Sequence, residues 1–297
     1  MGPRLHALAL QLLGRPAEAL PHMREALERQ QRIFGDQGSH AAVIHNDIST
    51  ILNDLGRFRE AAEEETRARE LNLAVGLHGA SLFIANSNLA SILESAGDYP
   101  RAEQLMREAL RAAEEVPAQY RTQVQSNFAR IVAAQGRFEE ARATFERLLA
   151  AGKAETPPSP FVGFNTMRLA QLESWAGRPK NAREVLAREP KLVEMLPERA
   201  HFYLRRLEAL LDAAEGKLDQ AVPMLRELEV EATKTFGDRS FDQAMIRVDL
   251  AEALAKQSNV RAARSALDQA LPVLREAVLP TERVRAQAEA LDKVLAR

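Results

Sequence analysis

The stretch "QGRFEEARATFERLL" (135–149) contains a six-residue pattern, from Gly136 to Ala141, that recurs along the whole chain. The pattern is a glycine, a charged residue, a ring or an aliphatic residue, two variable residues and an alanine. The other copies are "GRPAEA" (14–19), "GRFREA" (56–61), "GDYPRA" (97–102), "GRPKNA" (177–182), "GKLDQA" (216–221) and a degenerate "SNVRAA" (258–263). The steps between copies are 42, 41, 39, 41, 39 and 42 residues. Such a period is typical of stacked, repeated supersecondary units.

Each copy lies between two segments that have the periodicity of an amphipathic helix. In "AAVIHNDISTILNDLG" (41–56) the isoleucines and leucines recur at spacings of three and four, and Phe138, Ala141, Phe145 and Leu148 do the same after a turn. Glycine suits the end of the first helix because it tolerates the left-handed conformation of a C-cap. An alanine five residues later leaves room for two helices to cross closely. Each repeat is therefore predicted to be an antiparallel helix pair.

One helix pair cannot bury both of its faces, so neighbouring pairs must stack. The sequence predicts an all-α, right-handed α-solenoid of about seven antiparallel helix pairs and a C-terminal capping helix, in a single domain over residues 1–297. We expect Ser39 and Ser240 to cap helices that follow turns. The predicted repeats cover residues 3–35, 39–76, 80–116, 117–152, 160–190, 193–236 and 240–277, and the cap covers 281–297.

The composition excludes several classes of function. Forty basic residues stand against 42 acidic ones, which argues against a general role in binding nucleic acid or membranes. Cysteine is absent, so disulfides and thiolate chemistry are excluded, and we expect a cytoplasmic location. The segment "MGPRLHALALQLLGRPAEA" loosely resembles a signal peptide, but its "GRPAEA" is in register with the later copies, which favours a first repeat.

The pattern resembles the tetratricopeptide repeat family. A small residue stands seven positions before each turn, at Ser49, Ala90, Ala129, Ala170, Ala209 and Ala251, and "MREAL" occurs at both 23–27 and 106–110. Repeats longer than the usual 34 residues, with "GD" turns, resemble the kinesin-light-chain-like subclass that is common in bacterial signalling proteins. Two departures are Glu65, where the second helix is normally apolar, and Ser258 in place of the turn glycine.

The resemblance implies a binding site on the first helix of each pair, which lines a concave groove in this family. The implied positions lie ten, nine, six and three residues before the turn glycine. Those that we predict to bind a partner are Asn46, Asp47, Thr50, Asn53, Ser87, Asn88, Ser91, Asn127, Arg130, Arg168, Gln171 and Arg206, together with Arg205 beside the last of them. Amides suit a peptide backbone and arginines suit carboxylates or phosphates. We therefore expect a protein or peptide partner, with acidic or phosphorylated side chains against the arginines.

The alternatives remain open at this point. Asparagine, serine and arginine also make an ordinary solvated helix face. The chain could equally be a regulatory, sensor or oligomerisation module cut from a larger protein, for example one that carries a kinase or a DNA-binding domain. No spacing of histidines, carboxylates or glycines suggests a catalytic site, so we predict no enzymatic activity, no cofactor and no metal site.

Overall fold

The computed structural model of the protein describes residues 2–35, 37–76, 78–111 and 118–296. In these ranges it contains α-helices and no strand. The first eight helices are α1 (Pro3–Leu12), α2 (Pro16–Phe34), α3 (Gly38–Asp54), α4 (Phe58–Ala74), α5 (Gly79–Ala96), α6 (Tyr99–Arg111), α7 (Ala118–Ala134) and α8 (Phe138–Ala154). The others are α9 (Phe161–Trp175), α10 (Pro179–Ala187), α11 (Leu192–Met195), α12 (Glu198–Ala214), α13 (Leu218–Phe236), α14 (Phe241–Lys256), α15 (Val260–Ala277) and α16 (Arg283–Leu295).

The turn inside each pair has the same hydrogen bonds in all seven repeats. At Gly136, for example, the glycine N–H donates to Ala133 O at 2.9 Å, and the next N–H, of Arg137, donates to Val132 O at 3.2 Å. This pair of bonds is the Schellman motif, which requires a residue with positive φ. Ser258 adopts φ 62° and keeps the motif without a glycine. The degenerate seventh copy is therefore a real turn.

Small residues fill the two positions where the helices of a pair approach each other. The alanine five residues after each turn position has no exposed surface in any repeat: Ala19, Ala61, Ala102, Ala141, Ala182, Ala221 and Ala263. The small residue seven positions before each turn position is at most 1% exposed in every repeat: Ala7, Ser49, Ala90, Ala129, Ala170, Ala209 and Ala251. A larger side chain at either position would push the helices apart.

Contacts divide the chain into two compact units. The first unit is Met1–Val116 with Leu274–Arg285, and the second is Pro117–Val273 with Ala286–Arg297. The core of the first unit includes Met23, Ile48 and Leu52, and that of the second includes Phe145 and Leu172. Trp175 packs against the second core.

Within the first unit, the segment 279–283 docks on the turn between α5 and α6. Leu279 N donates to Ala96 O at 2.8 Å, and Thr281 Oγ1 donates to Gly97 O at 2.6 Å. Arg283 N donates to the Tyr99 hydroxyl at 3.2 Å. Backbone atoms of residue 282 lie so close to Gly97 that a Cβ there would be 2.6 Å from the nitrogen. This glycine therefore serves the close approach as well as the turn.

The predicted all-α fold of helix pairs followed by a last helix is confirmed. Ser240 caps α14 as predicted, because its hydroxyl accepts from Gln243 N at 3.2 Å. The prediction for Ser39 is wrong: Gln37 occupies the N-cap of α3, which begins one residue earlier than expected, at Gly38. The boundary predicted at residues 116 and 117 and the end of the cap at Arg297 lie outside the described residues. The single-domain organisation stays a prediction.

Candidate functional site

The residues ten, nine, six and three positions before each turn form what we call the register face. In three cases the ten position of one repeat contacts the nine position of the next. These contacts join residues 42 or 43 positions apart: Arg4 with Asp47, Arg168 with Ser126, and Arg206 with Asp249. The first lies in the first unit and the other two lie in the second. Polar positions of consecutive repeats thus meet side by side within each unit.

In the first unit, the neighbouring residues Asn46 and Asp47 form hydrogen bonds with different helices, Asn46 as a donor and Asp47 as an acceptor. The side-chain nitrogen of Asn46 donates to both carboxylate oxygens of Glu65 on α4, at 3.0 and 3.2 Å. The Asp47 carboxylate instead accepts from Arg4 Nε on α1, at 2.7 Å. Both are half-buried, so part of each side chain still reaches the surface.

The hydroxyl groups of the first unit's register face donate to their own helices. Thr50 Oγ1 donates to Asn46 O at 3.0 Å, Ser87 Oγ to Phe83 O at 2.7 Å, and Ser91 Oγ to Ser87 O at 2.9 Å. Asn53 is half-buried and Asn88 is exposed. The face is therefore accessible, and the polar groups that it presents are those of serine, threonine and asparagine side chains.

Glu65 is the least expected group next to this face. The residue is only 3% exposed, and burial raises the pKa of its carboxyl group, while the hydrogen bonds from Asn46 act in the opposite direction. On the same two helices, the buried His45 ring nitrogen Nδ1 lies 2.6 Å from Glu64 Oε2. The acidic residues of α4 are thus partly directed inward.

In the second unit, a buried hydrogen-bond chain holds Arg168. Its Nη1 donates to Ser126 Oγ, and that hydroxyl donates to Asn165 Oδ1 at 2.6 Å. Ser126 and Asn165 are each 1% exposed, whereas Arg168 is half-buried. Arg130 follows Ser126 by one helical turn and shares its side of α7. Asn127, Arg130 and Gln171 are half-buried.

The two consecutive arginines of α12 carry compensated charges. Arg206 is 9% exposed, and its Nε and Nη2 donate to the two carboxylate oxygens of Asp249, at 2.6 and 3.2 Å. Arg205 is more exposed and pairs with Glu231 and Glu227 on α13. The sequence predicted that Arg206 would offer its positive charge to a partner. The structure instead joins Arg206 and Asp249, because they occupy the ten and nine positions of consecutive repeats.

The residues that the structure describes contain no group of three or more histidine and carboxylate side chains that could hold a metal ion. None of their helices combines the length and apolar composition that crossing a membrane requires. The expected lack of catalysis stays a prediction.

Comparison with known proteins identifies the repeats. Residues 4–74 and 81–154 match a family model described as "Tetratricopeptide repeat". Over 115 residues the chain is 32% identical to Tetratricopeptide repeat protein 19, mitochondrial, from Homo sapiens, which is 38% of this chain and 30% of that protein. The chain thus matches less than a third of that relative's length.

Solved structures show the same fold at low sequence identity. A Rap protein complexed with Competence and Sporulation Factor aligns over 96% of this chain and 75% of its own, with a TM-score of 0.70 and 14% identity. TPR-like repeats of a kinesin light chain from Podosopora anserina align over 64% of this chain and 92% of theirs, with a TM-score of 0.54 and 19% identity. These likenesses support the α-solenoid fold and nothing finer.

Proposed function

Because the chain is a tetratricopeptide repeat protein, we propose that it is a protein–protein interaction module that holds a segment of a partner on the register face. One observation carries the proposal. The contacts between residues 42 or 43 positions apart bring polar positions of consecutive repeats together, so that a segment lying across the first helices meets several of them. The Rap neighbour was crystallised with a bound factor, which supports a protein or peptide as the partner.

We further propose that the second unit binds acidic or phosphorylated side chains through Arg130 and Arg168. Ser126 and Asn165 restrain Arg168 before any ligand arrives, which lowers the entropy that binding must cost. A guanidinium group binds a carboxylate or phosphate with two parallel hydrogen bonds. Arg205 and Arg206 contribute less in this proposal, since carboxylates of α13 and α14 already neutralise them.

Selection from a displayed library of short random peptides tests this function. We expect enriched peptides to carry acidic residues and to bind more weakly as salt is added. Replacing both Arg130 and Arg168 with glutamate should weaken their binding at least about tenfold, because each removed guanidinium loses a charged hydrogen bond.

A matched control makes the same change of charge elsewhere in the second unit. Arg147 on α8 and Arg226 on α13 are exposed and lie on second helices. Replacing both with glutamate should change affinity only slightly. If the two double variants weaken binding equally, the effect is one of net charge and the proposed site is wrong. A library without any enriched sequence would contradict the function itself.

A further inference from the structure

We propose that the part of the first unit's register face on α3 and α5 is a surface of hydrogen-bond acceptors that binds a donor-rich segment carrying lysine or arginine, and that Glu65 is the positioning residue that gives this part its character. The inference rests on the proposed function, because it assumes that the face holds a partner. It adds the chemistry of that partner for the first unit, which is opposite to the chemistry proposed for the second.

The hydroxyl groups provide the first observation. A serine or threonine hydroxyl has one proton to donate and two lone pairs to accept with. Thr50 and Ser87 each give that proton to the carbonyl oxygen four residues earlier in their own helix. What a ligand meets at these positions is therefore an oxygen that accepts. Neighbouring Ser91 also donates to its own helix.

The orientation of Asn46 provides the second observation. An asparagine amide can donate through its nitrogen and accept through its oxygen. An ionised carboxylate only accepts, so Glu65 requires the nitrogen of Asn46 to point inward, as the distances of 3.0 and 3.2 Å show. The oxygen Oδ1 is then the atom directed away from Glu65. Asp47 adds a carboxylate directly beside it, bridged to the half-exposed Arg4.

Packing of the helix pair alone does not explain why a glutamate occupies position 65. Glu65 stands nine residues after the turn glycine, and every other repeat has an apolar residue there: Met23, Met106, Phe145, Leu186, Leu225 and Leu267. Five of these six are at most 1% exposed, and Leu186 packs against the core. A buried carboxylate is unfavourable unless its hydrogen bonds compensate. Its hydrogen bonds to Asn46 link this one exception to the register face.

A partner that suits such a surface supplies protons for hydrogen bonds. Lysine has three donors and no acceptor, and arginine has five donors and no acceptor. Main-chain N–H groups of an extended segment add further donors. An acidic segment would bring acceptors against acceptors. The exposed Asn88, whose amide carries both groups, can follow either polarity and does not decide between them.

The orientation of Asn46 can be tested on the 297-residue chain without a partner. In nuclear magnetic resonance spectra, the side-chain NH₂ protons of Asn46 should exchange slowly with water in the wild type. They should exchange rapidly in Glu65→Met, which inserts the residue that two other repeats use. Glu65→Gln keeps an acceptor oxygen and should retain much of the protection. Glu63→Met makes the same change at an exposed site of α4 and should leave Asn46 unaffected. Unchanged exchange in Glu65→Met would overturn the positioning role.

The polarity of the face is tested with two short synthetic peptides of glycine and serine that differ only in carrying arginines or glutamates. We expect the arginine peptide to shift the resonances of Thr50, Ser87 and Asn88, and Glu65→Met to weaken this binding several-fold while Glu63→Met does not. No shift with the arginine peptide, a stronger shift with the glutamate peptide, or equal binding by Glu65→Met would each overturn the inference. The glutamate peptide against Arg130 and Arg168 reports separately on the proposed function, so the two can fail independently.

Discussion

The two units contain the same charged pair in the same register and in different surroundings. Arg4 with Asp47 and Arg206 with Asp249 are each 43 residues apart, and their shortest distances are 2.7 and 2.6 Å. The side chains of the first pair are 42% and 16% exposed, and those of the second are 11% and 1% exposed. The repeat register determines which residues are in contact, whereas burial determines how much the contact contributes to stability.

Two other matched positions teach the same lesson. Gly97 and Gly136 have φ of 88° and 82°, but only Gly97 has another backbone against it. Glu65 and Phe145 both stand nine residues after a turn and both are buried, but one is a carboxylate bonded to the register face and the other is core. The charged pairs and the two glycines can therefore each be compared by making one substitution twice.

The largest difference in unfolding free energy is expected between matched variants of the two charged pairs. Asp249→Ala leaves Arg206 buried without its carboxylate, which should cost about 3–5 kcal/mol of unfolding free energy. Asp47→Ala removes a partly exposed pair and should cost at most about 1 kcal/mol. Chemical denaturation of both variants, monitored by circular dichroism, measures the difference.

A double variant separates the pair from the position. Arg206→Met combined with Asp249→Leu replaces the buried ions with apolar groups and should recover most of the stability that Asp249→Ala loses. If Asp249→Ala and Asp47→Ala shift the unfolding midpoint equally, the surroundings of the two pairs do not differ in the way that the structure indicates.

The second difference concerns the turns. An added Cβ at positive φ should cost about 1–2 kcal/mol in both Gly97→Ala and Gly136→Ala. Gly97→Ala should cost more, because its Cβ would lie 2.6 Å from the nitrogen of Glu282 and must push the segment 279–283 away. Amide hydrogen exchange should then increase at Leu279, whose N–H donates to Ala96 O.

Thr281→Val serves as the control for the docked segment. It removes the hydrogen bond to Gly97 O without changing the turn, so it should loosen the segment and cost about 1 kcal/mol. Equal losses of stability in Gly97→Ala and Gly136→Ala, with Leu279 still protected in both, would show that the close approach is unimportant.

The sequence was sufficient for the features that repeat and insufficient for the features that occur once. Periodicity and turn glycines predicted the helix pairs, and the small residues predicted their crossings. The pairing of Arg206 with Asp249 also had a signal, since opposite charges stood at the ten and nine positions of consecutive repeats. The bond from Asn46 to Glu65 had none, because it depends on a carboxylate turning inward. Nor did any pattern bring Thr281 to Gly97, 184 residues away.

The smallest effect on stability is expected from replacing Glu65, which stands nine residues after its turn, and this effect depends on pH. Burial raises the pKa of Glu65 in the folded protein above the ordinary glutamate value of about 4.3. Below that ordinary value the carboxyl group is protonated in both the folded and the unfolded state, so folding does not have to bury a charge. As pH rises through the folded pKa, the folded state must ionise a buried group and stability is lost.

Glu65→Met should therefore stabilise the protein by about 1 kcal/mol at neutral pH, and the gain should shrink as pH falls toward the ordinary glutamate value. Thermal unfolding across this pH range measures the gain. A gain independent of pH would mean that Glu65 is already ionised at no cost, held by the hydrogen bonds from Asn46. A variant less stable than wild type would mean that these hydrogen bonds stabilise the α3–α4 pair more than an apolar side chain does.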